Sequence, residues 1–261
     1  QQLLENGGNG SLKADAYGGP VSLLKEAYSE TACYGATSVL LAVMDNSTMI
    51  HGKLHPMIGV VTLGDCELVV LRRPKKTDFY KVVLHTEQQR IGGHNQTPLQ
   101  LARMDQDIDP DFDEEEALDA IERGSGLHCT SAYEGDLVIL GSDGVFDNLF
   151  LSEVVAVCNQ RLPPSGGPFE PAPSSRLADI AESLVKKAHL KSEMTLFTQM
   201  QSTPVGVGGK ADDACVVVAE VIEWTAERRE AWAREQHKPS MWGSLFSCGP
   251  GSTCTSACPN A

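Results

Sequence analysis

Residues 135–141, Gly-Asp-Leu-Val-Ile-Leu-Gly, constrain the fold more than any other stretch. Four apolar residues in a row with glycine at either end are too short for a helix and read as a central, buried strand. Similar runs surround it. Thr37–Met44, Met57–Leu63, Glu67–Leu71 and Phe79–Leu84 come before, and Cys215–Ile222 after. Short strands joined by short turns imply a largely antiparallel sheet, with Gly64-Asp65-Cys66 as the turn between two of them. Helical periodicity marks Val21–Thr31, where Leu23, Leu24, Ala27 and Tyr28 share a side and Pro20 stands at the entry. It also marks Leu151–Leu162, Arg176–Leu190 and the charged run Glu223–Lys238. Residues 1–19 read as a frayed Gly-rich segment, 163–175 as a Pro-, Gly- and Ser-rich loop, and 191–210 as irregular.

A chain of 261 residues allows one domain or two small ones, and its 41% hydrophobic and 21% charged residues are ordinary for a globular protein. No run of eighteen apolar residues exists, so no transmembrane helix is expected. With 21 Lys and Arg against 35 Asp and Glu, the formal charge is −14. That excludes a general nucleic-acid binder, which needs a basic face for phosphates. It suits a divalent cation, and equally a solvated acidic surface. None of the eight cysteines forms a C-x-x-C pair, and Cys33, Cys66, Cys158 and Cys215 lie in apolar segments, so reduced thiols in a reducing compartment are expected. The sequons at Asn46 and Asn95 are then chance matches. The first residue is Gln1 and no signal peptide leads the chain, which reads as a fragment or a chain whose start was removed. Residues 105–123 form an acidic block without the Gly and Glu spacing of a calcium loop, expected as a solvated insertion, helical from Glu114.

The chemistry-bearing residues stand at strand ends. Asp143, in LVILGSDGVFDNL, follows the central strand on a turn bracketed by Gly141 and Gly144. Asp212 and Asp213 precede CVVVAEVI, next to a Gly-rich loop, and Asp65 lies in the turn after Met57–Leu63. Each alone reads as a polar turn. Three together read as hard oxygen donors for Mg²⁺ or Mn²⁺ rather than zinc. Such ions activate water and polarise phosphoryl oxygens. The chain has no G-x-S-x-G, no phosphate-binding P-loop and no H-E-x-x-H. His85, His94 and His128 read as surface or satisfied polar residues.

GSDGVFDNL, KADDACVVV and TLGDCELVVLR together resemble the metal-dependent type 2C (PPM) protein serine/threonine phosphatases, over about residues 20–222. TEQQRIGGHNQTPLQL and DGVFDN are most similar to the branch of the mitochondrial PTC7-type enzymes. The resemblance implies an α+β fold, a sandwich of two antiparallel sheets flanked by helices with metals at one end. It implies that Asp143 and Asp212 ligand core Mg²⁺ or Mn²⁺ ions, with Asp213 the neighbour in the family's pair. It assigns Asp65, with Asp143 and Asp147, to a third ion. The implied reaction is attack of a metal-bridging water on phosphoserine or phosphothreonine. The family's first motifs, an acidic ligand, a phosphate-binding Arg and a D-G-V-G-G-like bridging Asp, have no match here, so the sandwich is expected to lack its N-terminal strands. The domain map is then a flexible 1–19, a phosphatase domain over 20–223 and a helix with a Cys-containing tail over 224–261. The partner is a phosphoprotein, with no nucleic acid or membrane span, and the chain is expected to be a monomer. The location is intracellular, mitochondrial by the branch. Without those motifs the site of this chain is expected to be half built, weak for Mn²⁺ and slow or inactive on phosphoserine peptides; the alternative is a pseudophosphatase that binds without turnover. Asp143 and Asp212 should lie close together, and without a cation the pair should be partly protonated or splayed by water.

Overall fold

The structure is a computed structural model that describes residues 18–91, 97–105, 107, 109–166, 169–193 and 201–236. Expectations for residues 1–17, His94, Asn95 and the tail with Cys248, Cys254 and Cys258 lie outside these. The chain divides into two units, residues 1–222 and 223–261. In the second, Ala226–Gln236 form a charged helix.

Two antiparallel sheets dominate the first unit. One has three strands, β2 (Val39–Asp45), β5 (Met57–Leu63) and β9 (Gly126–Ser131), with β5 central. The other has four, in the order β13 (Val216–Glu220), β10 (Leu137–Gly141), β6 (Glu67–Arg72) and β7 (Lys81–His85). Short antiparallel pairs complete the strands: β1 (Gly35–Thr37) with β8 (Leu101–Arg103), β3 (Met49–Ile50) with β4 (Lys53–Leu54), and β11 (Ser202–Thr203) with β12 (Gly206–Val207).

The two-residue period of the strands sorts side chains into three apolar layers. Ile58 and Val60 of β5 meet Leu68 and Val70 of β6 and Val138 of β10 between the sheets. The other face of β5, with Val61 and Leu63, packs on Leu24 and Tyr28 of α1 (Pro20–Glu30). The outer face of the larger sheet, with Val69, Leu71, Leu137 and Ile139, packs on α3 (Asp143–Phe146), α4 (Leu151–Arg161) and α5 (Ser174–Ser192). The result is helix, sheet, sheet, helix: the α+β sandwich of two antiparallel sheets.

Several local expectations are corrected. Gly64-Asp65-Cys66 is the turn between two strands, as expected, but β5 and β6 belong to different sheets, so the segment carries the chain from one to the other rather than pairing them. Cys215–Ile222 is not a buried strand. Its strand, β13, is an edge strand, alternately half-buried and exposed, with Cys215 exposed just before it. Cys33 is also exposed, whereas Cys158 is buried; all five described cysteines are free thiols. The acidic block is not solvated throughout. After α2 (Glu114–Asp119) a π-helical turn, Ala120–Gly124, seats Ile121 at 0% exposure beside Leu24, Tyr28 and Leu63. An apolar side chain among acids gains enough by burial to dock its turn.

Candidate metal centre

The register of the larger sheet gathers the aspartates. Gly141, the last residue of β10, lies opposite Glu67 at the start of β6 and Val216 at the start of β13. Whatever follows β10 therefore stands beside whatever precedes its two antiparallel neighbours. Asp143 follows β10 as the first residue of α3, Asp65 comes two residues before β6, and Asp212 four before β13. Ser142 ties the ends: its N–H donates to Cys215 O at 3.0 Å, and its Oγ accepts from Cys215 N at 3.0 Å. Gly144 permits the approach, since a Cβ there would stand 2.3 Å from the Asp213 carbonyl oxygen.

All four sequence-selected aspartates come to this end, each facing a cation of the chain itself. Lys210 Nζ lies 2.6 Å from Asp143 Oδ2, 2.8 Å from Asp212 Oδ2 and 3.6 Å from Asp147 Oδ2. Arg90 Nη2 lies 3.1 and 3.0 Å from the two oxygens of Asp147 and 3.5 Å from Asp65 Oδ2. Asp147 and Asp65 are 1% and 5% exposed. Gln88 Nε2 donates to Asp147 Oδ1 at 3.0 Å, and Ser38 Oγ to Asp65 Oδ1 at 2.8 Å. Asp213, the neighbour in the pair, is exposed, and its N–H donates to Asp212 Oδ1 at 2.9 Å. Beside them Glu67 pairs with His85, as expected of a satisfied histidine.

The expectation that Asp143 and Asp212 lie close is met. Between the two stands the Lys210 ammonium rather than the water expected to splay them. The hydrogen bond from Lys210, against a smaller cost of burial, holds the Asp212 carboxyl below the usual range. Burial opposes the charge on Lys210, but its bonds to Asp143 and Asp212 prevail and raise it above the usual lysine range. The Cys66 thiol is raised by burial and then by the nearby Asp65 and Asp143 carboxylates.

Sequence reasoning missed Lys210 and Arg90. Lys210 stands two residues before Asp212 in KADDACVVV, and Arg90 lies in TEQQR, both motifs already singled out. A lone basic residue in either gives no sign that it turns inward.

For a divalent ion the donors fit in chemistry and direction but not in number. Two hard oxygens already reach one small cationic centre, as Mg²⁺ or Mn²⁺ would require. Yet among the described residues no three His, Cys, Asp or Glu side chains are grouped to hold an ion.

No protein-family model matches the chain. It is 29% identical over 229 residues to a protein phosphatase PTC7 homologue of Drosophila grimshawi, covering 85% of this chain and 67% of that protein. It is 26% identical over 214 residues to probable protein phosphatase 2C 26 of Arabidopsis thaliana, covering 78% of this chain and 60% of that protein. A second PTC7 homologue, from Drosophila mojavensis, is 29% identical over 201 residues, and the match spans 55% of its length. The chain thus spans about half to two thirds of the length of these three relatives. Among solved structures, the photosystem II phosphatase PBCP superposes with a TM-score of 0.53 at 23% identity, over 77% of this chain and 70% of that one. The sandwich is therefore the PPM-type fold, and the chain is similar to the 2C and PTC7 kinds of protein phosphatase.

Proposed function

We propose that this chain is a metal-dependent protein serine/threonine phosphatase domain acting on phosphoserine and phosphothreonine in a protein partner. The observation that carries the reading is the convergence of Asp65, Asp143, Asp147 and Asp212 at one end of the sandwich, although Asp65, Asp143 and Asp212 lie far apart in sequence. Asp143 and Asp212 are the carboxylates that would hold a core Mg²⁺ or Mn²⁺, with Asp65 and Asp147 toward a further ion. When bound, such ions polarise a phosphoryl oxygen and supply a nucleophilic water at neutral pH.

The chain's own residues do the positioning. Asp143 is carried at the end of a rigid central strand, which fixes where its carboxylate points. Ser142 and Gly144 keep the start of β13 against it, so Asp212 cannot drift away. Ser38, Gln88 and Arg90 hold the two buried carboxylates in place. Each buried charge is thereby paired and hydrogen-bonded, as burial demands. The PTC7 branch makes mitochondria the compartment to examine first.

A binding module without turnover is the second reading. It is favoured by one observation: each carboxylate already pairs with a cation of the chain, Lys210 or Arg90. Phosphate release from a phosphothreonine peptide, assayed with Mn²⁺ and with chelator, separates the two. Slow release that needs Mn²⁺ and is lost in Asp143→Asn is expected. Release that survives both chelation and Asp143→Asn overturns the metal mechanism, and no release at any Mn²⁺ concentration selects the binding module.

A further inference from the structure

The loop before β13 is built to deliver one side chain. Gly208 and Gly209 have φ of 93° and 67°, a left-handed path that turns the chain toward α3. Asn148, 1% exposed, then grips residue 210 by its backbone, donating to Lys210 O at 2.8 Å and accepting from Lys210 N at 2.9 Å. A Cβ on Gly209 would stand 2.3 Å from Asn148 Oδ1, so this grip requires glycine. With its backbone fixed, Lys210 reaches three carboxylates on two different elements. Its side chain is nevertheless 40% exposed, so the ammonium can swing into solvent without unfolding anything.

We propose that Lys210 is the resident cation of the Asp143–Asp212 pair, and that a divalent ion binds only by displacing its ammonium. The inference rests on those two carboxylates being the metal ligands. Three carboxylates within reach of one point repel one another, and the Lys210 ammonium that the chain places among them offsets that repulsion. An incoming Mg²⁺ or Mn²⁺ competes for the same oxygens and is repelled by the positive charge already there. Lys210 therefore lets the domain fold without metal and sets how much metal is needed to load it. The backbone grip separates the two roles: replacing the side chain leaves the loop in place.

The test is a titration of the full chain with Mn²⁺, reading free Mn²⁺ by electron paramagnetic resonance, for wild type, Lys210→Met, Lys210→Gln, Lys210→Arg and Asp143→Asn. Circular dichroism checks the fold of each. Loss of Lys210's charge should tighten Mn²⁺ binding by about tenfold or more, while Lys210→Arg stays near wild type and Asp143→Asn binds less. Without metal, Lys210→Met should melt at lower temperature, and adding Asp212→Asn should recover much of that loss. Wild-type Mn²⁺ binding that depends on Asp143 but is not tightened in either neutral variant overturns the role of Lys210 and leaves the ligand assignment standing. Failure of every variant to bind at millimolar Mn²⁺ overturns both.

Discussion

Asn148 and Lys210, 62 residues apart, are joined by two hydrogen bonds that run in opposite directions between one side-chain amide and one backbone. The same amide nitrogen also donates to Gly144 O at 2.8 Å. One buried side chain thus couples α3, which carries Asp143, to the loop that carries Lys210 and Asp212. Replacing it leaves two amide-bonded carbonyls and one N–H without partners. Asn148→Ala should cost about 2 kcal/mol or more in urea denaturation, and Asn148→Asp, which keeps only the acceptor, should recover part of it. A loss within about 0.5 kcal/mol, the range of ordinary surface changes, would show that the grip is incidental.

Gly144 sets the spacing between the two proposed ligands. A methyl group there would meet the Asp213 backbone, which cannot rotate aside as a side chain does. Gly144→Ala should therefore push α3 away from the start of β13 and destabilise the fold by about 1–3 kcal/mol, the cost of overpacking. Gly166→Ala, where no atom lies within 4 Å of the added carbon, serves as the comparison and should be neutral in the same thermal melt.

The strands were readable because their own residues report burial. Leu137–Leu140, Met57–Leu63 and Glu67–Leu71 are apolar enough that no other element suits them, and the aspartates follow directly as the polar residues where those strands stop. What the sequence could not show is long-range. Nothing in Gly64-Asp65-Cys66 distinguishes a hairpin from a crossing between sheets, since that depends on which strands pair. The apolar pattern of β13 does not say that it lies at an edge, so the exposure of Cys215 was hidden. Lys210 and Arg90 look like any surface cations until the register of β6, β10 and β13 brings four carboxylates to them. Ile121 was lost among acidic neighbours because charge dominates the local composition while burial is decided by α1 and β5, far away in the chain.

Ile121 accordingly makes the acidic block testable at single residues. It is fully buried against Leu24 and Tyr28, whereas Glu115 on the preceding helix is exposed. Ile121→Ala should lose about 2–4 kcal/mol by vacating core volume, and Glu115→Ala should change stability by less than about 0.5 kcal/mol. Equal and small effects on chemical denaturation would return the whole block to the surface.

Glu153 links the stability of the helical layer to pH. Lys191 Nζ, on a residue 7% exposed, lies 2.6 Å from Glu153 Oε2 and also donates to Ser202 O at 3.0 Å. Burial pushes the Glu153 carboxyl up, but bonds from Lys191, the Phe150 N–H and Lys187 prevail and hold it below its ordinary 4.5. A carboxyl depressed on folding contributes stability that is complete above its unfolded value and disappears as pH falls through the folded one. Lys191→Met should cost about 2–3 kcal/mol at pH 7. The gap between it and wild type should narrow as pH is lowered below 4.5. A gap that stays constant from pH 7 to pH 3 would assign the loss to packing of the lysine stem instead.

The described cysteines should separate by reactivity according to the layers they occupy. Thiolate is the reacting form, so both access and acidity count. Cys33, Cys129 and Cys215 are exposed, Cys66 is half-buried with its thiol raised, and Cys158 is fully buried in the core on the inner face of α4. Burial pushes the Cys158 thiol up to about 12, so at pH 8 it is both covered and protonated. Brief exposure of native protein to N-ethylmaleimide, followed by peptide mass spectrometry, should modify Cys33, Cys129 and Cys215 first, Cys66 slowly and Cys158 only after unfolding. Reading each peptide separately keeps the three tail cysteines from contributing. Modification of Cys158 at the rate of Cys33 in folded protein would contradict the packing of α4 on the larger sheet, and peptides that react only after reductant would show that the thiols are oxidised rather than free.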